Sequence, residues 1–188
     1  MEKEDCLYVG GDDSNHAGTS KGEIIVATFS SNQQDSVVRD FKNVRDRLGL
    51  EDWISRDDID YRFTLLTSER FRHSSQNLVF AIPSLIRAYL DQTSQSFRNL
   101  KVYLDGPMSQ GVRDYIRNYF VGKYGIENVV VDNFIKKHQK NFVGKKRRVE
   151  KHQRCPPLVY YADVLANRLF REKTSEEILT NEKMVAIE

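Results

Sequence analysis

Cys6-Leu7-Tyr8-Val9-Gly10-Gly11-Asp12-Asp13-Ser14-Asn15 is an apolar strand pattern that runs straight into two adjacent carboxylates. A polar, glycine-containing turn follows, and Glu23-Ile24-Ile25-Val26-Ala27-Thr28-Phe29 begins a second apolar strand. Like charges side by side repel, and neither Asp side chain packs in an apolar core. Asp, Ser and Asn are also ordinary turn residues, so this stretch alone reads more readily as a plain turn. The pattern recurs, however. Leu100-Lys101-Val102-Tyr103-Leu104-Asp105 is again an apolar strand that delivers an Asp, stopped by Gly106-Pro107, and Asp163 stands in the last long helical segment.

Outward from that stretch, the chain reads as one soluble globular domain over residues 1–188, with a core at about 5–173 and a C-terminal extension over 174–188. Hydrophobic residues make up 39% and charged residues 30%, enough of the first to build a core. No run of about 18 apolar residues occurs, which excludes a membrane-spanning helix. The acidic, polar start Met1-Glu2-Lys3-Glu4-Asp5 is unlike a secretory signal. With only Cys6 and Cys155, a reduced cytoplasmic protein is expected, and no Cys/His spacing matches a zinc site.

Charge is unevenly distributed. Residues 136–154 hold nine basic side chains against the single acid Glu150, a net +8, whereas the whole chain is +2 and the remainder therefore −6. A basic segment on a mildly acidic body points to a local polyanion contact.

In chain order, residues 5–13 and 23–30 are predicted strands joined by a hairpin loop over 14–22. In a regular strand Asp12 and Asp13 point to opposite faces, and both serve one site only where the strand twists, bulges or ends. Asp35-Ser36 caps a predicted helix running to about Gly49, and 51–60 is a loop with Trp53 and several Asp. A third strand covers 61–67. Leu78, Ile82, Leu85 and Tyr89 give helical spacing over 74–92, with Pro83 expected to kink that helix or mark its start. After strand 100–105, Ser109 caps a helix with Val112, Tyr115, Ile116, Tyr119 and Phe120 inward, ended by Gly125. Residues 128–132 are a fifth strand. Pro156-Pro157 opens a helix over 157–172, with Asp163 on the border of its apolar arc. Thr174-x-x-Glu177 is a capping box for a short helix at 175–180. The order β-β-α-β-α-β-α-β-α predicts an α/β fold with a five-stranded mixed sheet flanked by helices.

Parallel strands at a sheet centre place their C-terminal ends side by side, where ligand sites form. If the first and fourth strands are neighbours, Asp12 or Asp13 meets Asp105, and Asp163 approaches from the last helix. Several carboxylates converging in a partly buried place do not all ionise without cations, and oxygen donors suit Mg²⁺ or Mn²⁺.

Gly11-Asp12-Asp13-Ser14, Leu104-Asp105-Gly106 and Tyr161-Ala162-Asp163-Val164-Leu165-Ala166 together resemble the ribonuclease H-like superfamily. The pattern is most similar to type 2 ribonucleases H, and also to RNase H-like proteins with an Asp-Glu-Ser start. The resemblance spans residue 6 to about 172. It implies a nuclease in which Asp12, Asp105 and Asp163 hold two divalent ions, Mg²⁺ or Mn²⁺, with Asp13 in the place of the family's Glu. Three departures stand out. Asp13 is a methylene shorter than Glu, the helix between the second and third strands is additional, and the Gly-Arg-Gly loop of type 2 enzymes is missing. The last makes single-stranded DNA or RNA at least as good a substrate as a hybrid, and leaves an exonuclease open. Lys145, Lys146, Arg147 and Arg148 are the first candidates for phosphate contact, followed by Lys151, Arg154, Lys136 and Lys137. His16, His138 and His152 are either proton-transfer helpers or polar surface. The competing reading is a non-catalytic nucleic-acid-binding or interaction module that keeps the same fold.

Overall fold

The computed structural model describes residues 4–14, 22–31, 59–67, 76–106, 108–134, 157–172 and 174–187. The predicted helix at 35–49, residues 51–58 of the loop expected over 51–60, most of the first hairpin loop and the basic segment lie outside these residues, and Asp60, expected in that loop, instead opens the third strand.

Among the described residues, five strands form one sheet: β1 (Glu4–Asp13), β2 (Glu23–Ser30), β3 (Asp60–Leu66), β4 (Phe97–Asp105) and β5 (Asn128–Phe134). Their order is β3-β2-β1-β4-β5. β2 pairs antiparallel with β1 and β3, while β4 runs parallel to β1 and β5. The described helices are α1 (Asn77–Thr93), α2 (Gln110–Tyr124), α3 (Pro157–Glu172) and the short α4 (Ser175–Leu179). This is the α/β fold with a five-stranded mixed sheet and flanking helices that the strand and helix patterns predict. Among the described residues no helix is long and apolar enough to cross a membrane.

Alternation along the strands sorts side chains into two cores. Leu7, Val9, Ile25, Phe29, Leu100 and Val102 face α1 and α2, against Ile82 and Leu85 of α1 and Ile116 and Phe120 of α2. Tyr8, Ile24, Val26 and Phe63 face α3, against Leu158, Ala162, Leu165 and Leu169. β2 is buried along its whole length, which is why Ile24–Phe29 reads as a largely apolar run on both faces rather than an alternating one.

α3 lies directly on β1. A Cβ added at Gly10 would stand 2.2 Å from the carbonyl carbon of Leu158. Only a residue without a side chain permits that approach. The Thr28 hydroxyl on the neighbouring strand donates to the Leu158 carbonyl oxygen at 2.9 Å, tying β2 to the first turn of the same helix.

Several details depart from expectation. α1 begins at Asn77 and continues through Pro83, whose ring nitrogen offers no donor to the Val79 carbonyl. β4 starts at Phe97, and β5 continues past Asp132 to Phe134. Helical spacing predicts Tyr115 inward, but it is 59% exposed. α2 sits over the edge of the sheet at β5, so its fully buried stripe narrows to Ile116 and Phe120. Ser109 does cap α2, Gly125 ends it, and Thr174 and Glu177 form the capping box of α4.

The chain beyond α4 shows no pattern in the sequence, yet it closes the outer edge of β3. The Phe63 N–H donates to the Lys183 carbonyl at 3.1 Å, and the Val185 N–H donates to the Phe63 carbonyl at 2.7 Å. Met184 packs on the α3-side core, while Val185 and Ile187 pack on the other. The Lys183 ammonium reaches Asp60 at 2.6 Å. Asp60 also pairs with the buried Arg62 at 2.9 Å. Arg62 donates to Gln92 of α1 at 2.7 Å and lies over the Tyr89 ring, which stacks on Phe29.

Burial alone would raise the Asp60 carboxyl, but hydrogen bonds from Lys183 and the Tyr61 N–H, with the Arg62 charge, hold it below its ordinary value. Because the folded pKa is the lower one, the unfolded chain takes up more protons as acid is added. The stabilisation is complete above the ordinary value of 3.8 and is lost as pH falls through the folded pKa. Asp60→Asn therefore lowers Tm at pH 7, and its gap from wild type narrows below pH 3.8 in thermal melts taken across pH. Gly10→Ala must push α3 off β1, at about 3 kcal/mol, the upper end of ordinary overpacking costs. Urea unfolding of this variant measures that loss.

Candidate metal centre

The site begins with strand register. Gly11 of β1 pairs with Leu104 of β4, and the strands run parallel. The next residue on each is an Asp, so Asp12 and Asp105 are neighbours at the C-terminal ends of two central strands. They also share a face. Asp12 pairs across β2 with Val26, which belongs to the α3-side core. Asp105 follows Tyr103 by two residues, and Tyr103 packs on that same core.

Asp13 goes the other way. Its partner on β2 is Ile25, a member of the α1-side core. Asp12 and Asp13 thus lie on opposite faces, as strict strand alternation requires. The strand end is firmly held. The Asp12 Oδ1 accepts from the Asp13 N–H at 2.8 Å. Buried Ser14 donates its N–H to the Ile24 carbonyl at 2.8 Å, and its Oγ accepts from the Ile24 N–H at 2.9 Å. Ser14 thereby latches β1 to β2 immediately after the two acids.

Asp12 is 6% exposed, whereas Asp105 and Asp163 are half-buried. Asp163 lies on α3, and its carboxylate accepts from Asn167 one turn later at 2.7 Å. That agrees with its place on the border of the helix's apolar arc. Tyr103 is half-buried beside Asp105. Burial, with Asp132 and Cys6 nearby, raises its phenol above the ordinary value, so it is protonated at neutral pH. Asp132 itself is exposed.

One buried acid escaped the sequence reading. Glu23 opens β2 and is buried, with its Oε2 accepting from Asn77 of α1 at 2.7 Å. It lies on the Asp13 side of the sheet. An acid at the mouth of an otherwise apolar strand was the available signal.

Asp12 and Asp105 both carry hard oxygen donors, the ligand type that Mg²⁺ and Mn²⁺ take. Among the described residues no group of three or more His, Cys, Asp or Glu side chains stands together as a metal cluster. The structure thus juxtaposes Asp12 and Asp105, sets Asp13 on the far face and gives one Asp163 carboxylate oxygen a hydrogen bond from Asn167. Lys145, Lys146, Arg147, Arg148, Lys151 and Arg154 lie outside the described residues.

No family model matches the chain, and no curated relative matches it. Among solved structures, a chain in the structure of the PCNA:RNase HII complex from Archaeoglobus fulgidus is similar, with a TM-score of 0.44 and 14% identity. The likeness covers 92% of this chain and 75% of that one.

A cation held by Asp12 and Asp105 would stabilise the folded state by mass action, about 2.7 kcal/mol at about 100 times its Kd. Melts with and without Mn²⁺ check this. Tm rises in wild type, does not respond in Asp12→Asn or Asp105→Asn, and still responds in Asp132→Asn.

Proposed function

We propose that this protein is a divalent-metal-dependent nuclease on a ribonuclease H-like sheet, hydrolysing the phosphodiester bonds of DNA or RNA. The observation that carries the reading is the parallel register of β1 and β4, which ends two central strands in carboxylates on one face. The three short motifs that resemble the ribonuclease H-like superfamily support it. So does the +8 segment at 136–154, since a polyanionic substrate needs positive charge beside an acidic site.

In this reading Asp12 and Asp105 hold Mg²⁺ or Mn²⁺, and Asp163 joins them from α3 by exchanging Asn167 for the ion. Asp13, which lies on the opposite face from Asp12, is the fourth ligand only where a twist confined to its own residue, ahead of the Ser14 latch, turns its carboxylate to the α3 face. Such a pair of ions, when bound, activates a water and stabilises the leaving oxygen of a phosphodiester. The protein's own part is positional. The Ser14 latch fixes where β1 ends, and the shared register fixes the separation of Asp12 from Asp105. Lys145, Lys146, Arg147, Arg148, Lys151 and Arg154 bind the phosphate backbone. Single-stranded DNA or RNA is at least as good a substrate in this reading as an RNA–DNA hybrid, and the reading includes an exonuclease. The proposed setting is the cytoplasm, where a free thiol such as Cys6 stays reduced.

One observation supports a second reading as well. The +8 segment at 136–154 serves a non-catalytic nucleic-acid-binding or interaction module equally well, and the fold alone does not separate that from an enzyme.

End-labelled single-stranded DNA, single-stranded RNA, duplex DNA and an RNA–DNA hybrid, each with Mg²⁺, Mn²⁺ or EDTA, separate the two. The nuclease reading expects metal-dependent cleavage that falls by more than about 100-fold in Asp105→Asn, beyond the usual effect of losing an outer-shell partner. Tight, salt-sensitive binding with no cleavage of any substrate would establish the module instead. Replacing Lys145, Lys146, Arg147 and Arg148 by Ala weakens binding in either case. It lowers the slope of log K against log salt by about 0.7 for each single-strand phosphate that is no longer neutralised.

A further inference from the structure

We infer that Asn133 of β5, oriented by Arg113 of α2, is the positioning residue for the Asp105 carboxylate. The inference rests on the metal-centre reading and adds to it a support on the opposite face of the sheet.

Asn133 pairs in register with Leu104, the residue before Asp105. Val129 and Val131 of the same strand face the α1 and α2 side, so Asn133 faces that side as well. Its amide is used at both ends. The Nδ2 donates to the Gly106 carbonyl at 3.0 Å, and the Oδ1 accepts from the Arg113 guanidinium. Gly106 is where the chain leaves β4, with φ at +104°, a conformation that L side chains rarely adopt. Nothing lies within 4 Å of a Cβ built there, so the constraint at Gly106 is conformational rather than a matter of space. Arg113 stands in the first turn of α2, just after the Ser109 cap. One side chain therefore spans strand end, left-handed turn and helix start.

The chemistry of the contact sets its direction. A guanidinium has only donors, so it draws the Asn133 oxygen toward itself. That turns the amide NH₂ toward Gly106. Flipped, the amide would set donor against donor and oxygen against oxygen. Leu or Asp at position 133 cannot satisfy both neighbours, and Asp would place an oxygen against the Gly106 carbonyl. The bond to Gly106 holds the backbone immediately after Asp105, so it fixes how the carboxylate is presented on the other face. Groups bonded directly to a metal ligand govern affinity by about 10- to 100-fold, and Asn133, acting through the adjoining backbone, belongs at the lower end of that range.

The test reads Mn²⁺ binding by electron paramagnetic resonance, together with Tm, on the full chain. Asp105→Asn serves as the baseline for loss. Asn133→Ala and Asn133→Asp are expected to weaken Mn²⁺ binding about tenfold at temperatures where each variant is fully folded. Arg113→Met should do the same. Arg113→Lys, which keeps a cationic donor for Oδ1, should restore most of the affinity. Folded Asn133→Ala with wild-type Mn²⁺ affinity overturns the inference alone. Arg113→Lys binding as weakly as Arg113→Met overturns the orienting role of Arg113. Wild type with no saturable Mn²⁺ binding overturns the metal reading, and this inference with it.

Discussion

Everything in this structure depends on the parallel pairing of β1 with β4. It joins the antiparallel half of the sheet, β3-β2-β1, to the parallel half, β4-β5. Both faces of this junction are covered, by α1 on one side and α3 on the other, so β1 must be apolar on both. Leu7 and Val9 serve one core, Tyr8 the other, and Gly10 meets the backbone of α3. The strand is thus fully committed to packing until its last residues. There the helices no longer demand apolar side chains, and the chain places Asp12 and Asp13.

The same pairing makes the acids costly. Asp12 is buried, and the next residue along the strand carries the same charge. A buried carboxylate persists only with hydrogen bonds or a cation to offset its lost hydration. The Asp13 N–H contributes one such bond, and the Ser14 latch keeps the strand end from fraying away from it. On the opposite face, Asn133 and Arg113 hold the exit from β4. Rigid strand ends with braced turns are what precise placement of charged groups requires, and loops seldom provide it.

The far edge of the sheet is stabilised by other means. β3 would be an open edge, and the tail at Lys183–Val185 covers it with a short parallel bridge. Charge secures that cover, because Asp60 holds Lys183 from the tail and Arg62 from its own strand. The tail thus belongs to both cores, although its sequence is short and without period.

Much of this was legible in the residues. Strand positions followed from β-branched runs, the caps of α2 and α4 from Ser109 and Thr174-x-x-Glu177, and the candidate acids from apolar strands that end in Asp. These are local properties, written within a few neighbouring residues. Sequence could also place Asp12 and Asp13 on opposite faces, because strand alternation is itself local. It could not state that β1 and β4 pair in parallel with Gly11 opposite Leu104, since register joins residues far apart in the chain. Nor could it assign the tail to the β3 edge, expose Tyr115, bury Glu23 or connect Asn133 to Gly106. Those outcomes depend on which surfaces meet when the sheet closes. The residues alone determined an α/β chain whose central strands end in carboxylates. The tertiary pairing decided which two of those carboxylates became neighbours, because only register across the sheet brings distant strand ends to the same level.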